Sequence, residues 1–540
     1  MRCLPSCFAL TCVFALSTSV QAAELLAPET PVEQAIDHYL DAKLAAAGVS
    51  PAPPADDANL LRRTMLDLIG RIPTATEARA FVAATEKDKR EQLVERLMSS
   101  PAFVRQQAAE FDALLMEGTK ASLRDYLLRA FQESRPWDQM FRDMLVGEPD
   151  DKKQQGAIRF VASRVRDQDK LTADTSSLFF GVNVSCAKCH DHPLVDDWKQ
   201  DHYYGMLSFF SRTYEVGEFF GEREYGQVSF QTVEGASREA KLMFLTGEVL
   251  DEPSAAEPDE KAKKAEKQLL EELKKKKEPP PVATNSRRIA LVETALADEK
   301  NEFLPRAIVN HVWNRLLGRG LVHPVDQMHS ANPPSHPELL AWLARDMKAH
   351  GYDLRRLVRG IVLSESYGRA SRWDSAAKRP ADDLFAVAQV RPLKPWQYGT
   401  SLKLAAANPD GFSAESKPAE VERRLEGLES GGRSLGSTFE LPTADFQVSV
   451  DEALLLSNAD RIAQELLRDD GATLVSNLNK LDDHRAAAET AVWSVFSRAP
   501  TEDEFKSLTE YLAQRADRPK EARKQLVWAL LTSSECRFNY

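Results

Sequence analysis

The chain has 540 residues, of which 43% are hydrophobic and 28% are charged, the composition of an ordinary soluble globular protein. This length is too great for one hydrophobic core and predicts two or three domains. The formal net charge of −12 argues against a nucleic acid or an anionic membrane surface as partner, because both favour a basic face.

The first 22 residues have the pattern of a secretory signal peptide. Arg2 supplies a positive start, an apolar run extends from Phe8 to Leu16, and small residues precede a cleavage position after Ala22. The run is shorter than the roughly 20 apolar residues that a membrane-spanning helix needs. We therefore expect a periplasmic or secreted protein that has no transmembrane span.

Apolar residues at helical spacing dominate residues 28–212 and predict a helical, bundle-like first domain. Thr74 and Glu77 have the spacing of a capping box at the start of one of these helices. Thr30 and Ser335 open similar sequences, each with a glutamate three positions later. These sites predict helix starts.

The pattern changes after this domain. Residues 213–250 contain Val228, Phe230 and Thr232 alternating with polar neighbours, which predicts two or three short strands. Residues 251–286 carry runs of both charges and then three prolines, which indicates a solvated helix followed by a stiff linker. A basic docking site is the weaker interpretation, because neighbouring glutamates offset the lysines.

Helical periodicity returns in residues 287–540, the predicted second helical domain. Its opening helix carries Trp313 on an apolar face and ends at Gly318. The Gly- and Ser-rich stretch from Gly411 to Ser437 predicts a long loop. The sequence thus predicts a mainly-α protein with two helical domains, joined by a short β-containing segment and a charged, proline-rich linker.

The most informative motif is Cys186-Ala-Lys-Cys189-His190, which has the spacing for covalent attachment of c-type haem. The two cysteines can form thioethers with the haem vinyl groups, and His190 can bind the iron from one face. Three further cysteines lie in the predicted signal peptide. The mature chain would therefore keep only these two and Cys536.

A haem at this motif needs a sixth iron ligand or an open position. Met206 is the first candidate, since a methionine ligand is typical of electron-transfer haems, and His202 is the second. Met206 also has a plain alternative role as a core residue among apolar neighbours. His192 is only two residues from His190, so it is more easily placed beside a propionate than on the opposite face.

The same residues allow two other interpretations. Cys186 and Cys189 with two of His190, His192 and His202 would make a tetrahedral zinc site, although the histidines are closer together than in the usual zinc-finger pattern. A disulfide between the two cysteines is the third possibility. Haem c is the preferred prediction because the five-residue pattern is specific for its attachment.

The second domain contains several residues that could form a metal or acid–base centre. None of the histidine pairs has the i, i+4 spacing that would place both on one helix face. Asp326 could instead form a structural ion pair with Arg315 or Arg319. The candidates are His311, His323, Asp326, His329 and His336.

Motifs in both predicted domains carry a family resemblance. They include Arg135-Pro136-Trp137-Asp138, Cys186-Ala-Lys-Cys189-His190-Asp191-His192-Pro193, Tyr203-Tyr204-Gly205, Asn310-His-Val-Trp313-Asn-Arg315 and Asn332-Pro333-Pro334-Ser335-His336-Pro337-Glu338. The chain resembles large exported proteins of planctomycetes and related bacteria, in which a cytochrome-like domain of unknown function precedes a second domain of unknown function. The resemblance implies this domain order and a possible haem, but no reaction.

Three functions therefore remain open. We favour an exported redox carrier that passes electrons through one haem to a partner in the cell envelope. The second hypothesis is an envelope scaffold or binding protein, in which the motif is a zinc or disulfide staple. The third is an envelope enzyme that depends on haem or another metal.

Overall fold

The computed structural model describes the chain as mainly helical, which confirms the predicted fold class. The predicted signal peptide and its three cysteines lie outside the described residues. Within the described ranges, no helix is both long enough and apolar enough to cross a bilayer. The structure describes residues 25–148, 151–193, 195–253, 256–442, 449–458 and 460–540.

The first predicted domain is helical as expected. A short 3₁₀ turn lies between its last two helices, at Ser185–Lys188. The helices are α1 (Val32–Ala47), α2 (Asp57–Ile69), α3 (Ala75–Ala83), α4 (Lys89–Met98), α5 (Pro101–Leu115), α6 (Arg124–Gln132), α7 (Trp137–Leu145), α8 (Arg159–Ala162), α9 (Gln168–Phe180) and α10 (Gln200–Phe210).

The segment 213–250 contains four short strands in two small antiparallel sheets, where the sequence predicted two or three strands. In the first sheet β1 (Thr213–Val216) pairs with β2 (Phe219–Glu222), and in the second β3 (Ser229–Gln231) pairs with β4 (Ser237–Glu239). The predicted alternation is confirmed in β3, where Phe230 is buried between two exposed neighbours.

The charged segment that follows contains the predicted solvated helix, α11 (Glu260–Lys276), and none of the side chains of this helix is buried. The helix is attached to the neighbouring hairpin region through Glu266. This carboxylate pairs with Arg223 at 3.2 Å and accepts a hydrogen bond from the hydroxyl of Tyr225. The helix is therefore held at its polar surface rather than by core packing.

The remainder of the chain is again helical. Its two short strands pair antiparallel with each other. The elements are α12 (Arg287–Ala297), α13 (Phe303–Leu317), α14 (Pro337–Ala349), α15 (Leu354–Leu363), α16 (Glu365–Gly368), β5 (Arg391–Pro392), α17 (Pro395–Ala405), α18 (Pro418–Gly436), α19 (Val450–Asn458), α20 (Asp460–Leu466), α21 (Leu474–Leu478), α22 (His484–Phe496), α23 (Glu502–Ala513), α24 (Pro519–Leu531), α25 (Ser534–Arg537) and β6 (Phe538–Asn539).

A capping-box sequence predicts a helix start correctly where no other contact takes up the capping side chain. Thr74 and Glu77 form the expected capping box at the start of α3. The capping box predicted at Ser335 is wrong. The hydroxyl of Ser335 donates to the carbonyl of Leu321, and α14 begins after His336. The box predicted at Thr30 is also wrong, since α1 begins one residue later than expected.

The largest buried cluster extends across the predicted linker. It includes Trp137 of α7 together with Trp313 of α13 and Trp342 of α14, all almost completely buried. Burying a large apolar side chain is worth about 1.5–3 kcal/mol. The boundaries at 212 and 287 stay a prediction, but residues on both sides of them stabilise one shared core.

A second buried cluster lies in the carboxyl-terminal part, from Leu393 to Cys536, and Leu66 and Ile72 of the first region also join it. The structure corrects the predicted loop at 411–437, because most of that stretch forms α18.

Gly432, which lies in the stretch predicted as a loop, and Gly399 of α17 instead allow the two helices to approach closely. A Cβ atom on Gly432 of α18 would lie 2.4 Å from the Cα atom of Thr400 in α17, and one on Gly399 would lie 2.1 Å from the carbonyl oxygen of Gly432. Neither distance is compatible with a side chain. The glycines are therefore required by the close approach of α17 and α18.

Candidate haem-attachment site

The two motif cysteines lie on the exposed side of the 3₁₀ turn that precedes α10. Cys186 and Cys189 are exposed, and both thiols are free. Side chains three residues apart lie nearly above one another in a 3₁₀ helix, so the turn presents both sulfurs on one face. Ala187, between them, is fully buried and anchors the opposite side.

His190 is oriented by the residue that follows it. Its Nδ1 lies 2.7 Å from the carbonyl oxygen of Asp191. A carbonyl can only accept a hydrogen bond, so Nδ1 carries the proton and Nε2 keeps the lone pair that binds a metal. The Asp191 carboxylate in turn accepts from the backbone N–H of Gln200, 3.0 Å away at the start of α10.

Helix α10 supports the turn from below. The Tyr204 hydroxyl donates to the carbonyl of Lys188 at 3.1 Å, and the Gln200 amide reaches the same carbonyl at 3.4 Å. The Tyr204 ring stacks on Phe230 of β3, with ring centroids 4.2 Å apart and an angle of 9°. The small sheet therefore packs against the residue that holds the turn.

Helix α9 supports the turn from the side. The ammonium of Lys188 forms an ion pair with Asp169 at 2.5 Å, and the hydroxyl of Tyr203 donates to the other oxygen of this carboxylate. The Lys188 hydrogen bond is the largest cause that lowers the pKa of Asp169. Both charged groups are largely exposed, so this pair positions the turn more than it stabilises the fold.

A segment of the second predicted domain, residues 326–330, contacts residues on both sides of the CxxCH turn. We call it the bridging segment. At the first end, the backbone N–H of Asn183 donates to the carbonyl of Asp326 at 2.8 Å, and its side-chain amide donates to the Asp326 carboxylate at 3.1 Å. At the other end, Asp197 accepts from the backbone N–H and the hydroxyl of Ser330, both at 2.7 Å.

The bridging segment brings two histidines together. The rings of His192 and His329 have centroids 6.4 Å apart. Burial lowers the pKa of His329, against the opposing effect of nearby Asp197. Burial therefore favours the neutral form of His329.

The two predicted sixth ligands have other contacts. Met206 of α10 is completely buried in the main core, the alternative role that the sequence allowed. His202 is partly buried, and its Nδ1 accepts from the backbone N–H of Lys199 at 3.2 Å. The lone pair of His202 is thus already used to cap α10, while its ring packs edge-on against Trp198. A ligand role for either residue stays a prediction.

The five polar candidates of the second domain do not converge. His311 is buried on α13, where the carbonyls of Ser177 and Leu178 only partly offset the burial that lowers its pKa. His336 is buried beside the ring of Phe385, whereas His323 is exposed.

Asp326 bonds to Asn183 rather than forming the predicted ion pair, and Arg315 donates to Gln107 at 2.8 Å. Among the described residues, no group of three or more histidine, cysteine, aspartate or glutamate side chains is arranged to hold a metal ion. Zinc at the motif stays a prediction, as haem does.

Sequence reasoning missed the supporting residues of the site. Tyr204 belongs to a motif that marked the family resemblance, but its contact with Lys188 has no local signal. Asn183 and Asp326 are 143 positions apart, and Asp197 and Ser330 are 133 apart. Only the folded chain places these pairs together.

Two family models match parts of the chain, in the order that the resemblance implied. Residues 35–215 match PSCyt2, a protein of unknown function (DUF1549), and residues 287–427 match PSD1, a protein of unknown function (DUF1553). No curated protein and no solved structure matches the chain. The CxxCH turn lies in the first match and the bridging segment in the second. The chain thus combines a DUF1549 region with a DUF1553 region that follows it.

Proposed function

We propose that this protein is an exported electron-transfer protein that carries one c-type haem at Cys186, Cys189 and His190. The observation that supports this most is the exposed turn, which presents two free thiols on one face, followed by an imidazole whose Nε2 is available. Each thiol can add across a vinyl group, its sulfur bonding to one carbon and its proton to the other. A bound haem would supply one-electron transfer.

The residues around the turn fit this role as supports. The Asp191 carbonyl sets the tautomer and orientation of His190, an arrangement that raises the basicity of a metal ligand. Tyr204 and Lys188 hold the backbone between the cysteines in place. These contacts would hold the two cysteines and His190 at fixed positions when the haem iron changes oxidation state. Such rigidity favours electron transfer over exchange of the iron ligands.

The proposed compartment is the periplasm or the exterior of the cell. The amino-terminal sequence supports export, and haem c is attached outside the cytoplasm. A redox partner in the envelope follows from this location. The overall negative charge favours a partner with a neutral or basic contact surface.

The test is a pyridine haemochrome spectrum, with zinc analysis, of the mature protein produced together with a cytochrome c maturation system. We expect one covalently bound haem per chain, lost in the Cys186→Ala/Cys189→Ala variant and kept in the matched Cys536→Ala variant. A colourless protein with one zinc per chain would support the scaffold hypothesis instead. A colourless protein whose two motif cysteines are oxidised to a disulfide would overturn the proposal equally.

A further inference from the structure

A groove of about 1000 Å³ lies between α6, α8, the proline-rich linker and the first small sheet. This volume is at the upper end of the range for ligand-binding pockets, which is about 300–1,000 Å³. All four residues of β2 line the groove, whereas β1 contributes Glu215. The groove therefore follows the outer edge of β2. Its lining, among the described residues, includes no part of the CxxCH turn, so a ligand of the groove would not depend on haem.

The outer edge of β2 carries backbone groups that point away from β1. The backbone N–H of Arg223 donates to the carbonyl of Arg212 at 3.0 Å, so these two residues form a hydrogen-bonded pair at the end of the hairpin. Such pairs alternate with non-hydrogen-bonded pairs in an antiparallel ladder. Phe220 and Glu222 therefore direct their N–H and C=O groups outward, and among the described residues these groups have no hydrogen-bond partner.

An unpaired strand edge is a template for another extended chain. A peptide that adds a strand to such an edge gains affinity from backbone hydrogen bonds and specificity from pockets for its alternate side chains. Leu128, Val146, Ile158 and Phe220 are half-buried against the main core and line this groove, so its floor is apolar. An extended segment would find both backbone partners and an apolar surface here.

The rim of the groove favours a basic segment. Asp125, Glu148 and Glu218 are exposed, and among the described residues their carboxylates have no ion pair and no hydrogen bond. Arg129 and Arg159 also line the groove, but each donates to a backbone carbonyl of the wall. The lining as a whole holds five acidic and three basic side chains, which favours a positively charged occupant.

We propose that this groove binds an extended, basic and apolar peptide segment of a partner protein, which adds a strand to the outer edge of β2. The segment pairs its backbone with Phe220 and Glu222 and places alternate apolar side chains on the floor. Its lysine or arginine side chains lie at the rim, where solvent exposure makes their attraction sensitive to salt.

The experiment uses the full mature chain and a phage library of random peptides. Peptides that bind the unmutated protein are selected, labelled with a fluorophore and measured by fluorescence anisotropy. We expect them to carry alternate apolar residues with lysine or arginine, and to bind more weakly as the salt concentration rises. Amide hydrogen exchange at Phe220 should slow in the complex, whereas exchange at Gly221, whose N–H faces β1, should change little.

Two variants at one position separate the backbone from the side chain. Phe220→Ala keeps the outward N–H, whereas Phe220→Pro also removes it and leaves the ladder to β1 its hydrogen bonds. The proline variant should bind the selected peptides roughly threefold to tenfold more weakly than the alanine variant. Asp125→Lys/Glu218→Lys should also weaken binding. The matched control Asp517→Lys, at an exposed residue outside the groove, should leave it unchanged.

Equal binding of the selected peptides to the unmutated protein and to Asp125→Lys/Glu218→Lys would overturn the inference, and this result does not depend on how well the proline variant folds. A selection that yields no peptide, or a complex in which exchange at Phe220 is unchanged, would overturn it too. Protection of Phe220 that grows with protein concentration in the absence of peptide would show that a second copy of the chain takes this edge instead.

Discussion

Asn183, three residues before the first motif cysteine, donates both its backbone N–H and its side-chain amide to Asp326 of the DUF1553 region, at 2.8 and 3.1 Å. This pair places the bridging segment beside the CxxCH turn. The two family regions therefore meet at the candidate site as well as in the shared core.

The Asn183–Asp326 pair should be measurable as a coupling energy. Asn183→Ala removes the side-chain hydrogen bond to Asp326 and the one that its Oδ1 accepts from the backbone N–H of Ser185 at 3.1 Å, and should lower the free energy of unfolding by about 1–3 kcal/mol. Urea denaturation of the two single variants and of Asn183→Ala/Asp326→Ala tests this. We expect the double variant to lose less than the sum of the single losses. Fully additive losses would show that the two side chains do not interact.

Tyr204 should control the order of the attachment turn. Tyr204→Phe loses only the hydrogen bond to Lys188, whereas Tyr204→Ala also loses the ring stacking on Phe230, which is worth about 0.5–1.5 kcal/mol. We expect faster amide hydrogen exchange at residues 185–189, modest in the first variant and larger in the second. Equal protection in all three proteins would contradict this support role.

The helix contact between α17 and α18 offers a matched pair of glycine substitutions. Gly432→Ala forces a Cβ atom against Thr400 and should cost about 1–3 kcal/mol through overpacking. Gly427→Ala lies on the same helix with no atom within 4 Å of the added Cβ, so it should stabilise the protein by up to about 1 kcal/mol. Thermal denaturation should give shifts of opposite sign.

His336 should make stability depend on pH. Burial is the main cause that lowers its pKa to about 4, and the positive charge of Lys43 adds to this. The unfolded chain takes up this proton near pH 6.5 and the folded chain only near pH 4. Stability should therefore fall as the pH decreases from 6.5 to 4, by at most about 3 kcal/mol from this group.

Urea midpoints measured across that range for the unmutated protein and for His336→Gln check the effect. The glutamine variant should show a shallower pH dependence, because it lacks this proton. Parallel curves would mean that His336 is protonated equally in the folded and unfolded states.

The three cysteines of the described residues should differ in reactivity when the protein is prepared reduced and without haem. Cys186 and Cys189 are exposed and should react rapidly with a thiol reagent. Cys536 is buried, which raises its pKa to about 11, so it should react only after unfolding. A count of two fast thiols and one slow thiol is the expected result. Three fast thiols would contradict the burial of Cys536.

The local sequence was enough to predict that the protein is mainly helical. Helical periodicity predicted α13 and its end at Gly318, and the spacing of Thr74 and Glu77 predicted the capping box of α3, because each depends on residues within one or two turns. The CxxCH pattern is likewise a local signal, since the two cysteines and the histidine that it predicts as a haem site lie within five consecutive residues.

Only the tertiary structure decided which distant residues surround the motif. Met206 is a core residue because the fold encloses that face of α10, and residues 418–436 form a helix because Gly432 meets α17. His329 lies beside His192 through contacts formed by residues more than 130 positions apart. Packing and long-range hydrogen bonds determine these placements, and no short stretch of sequence carries them.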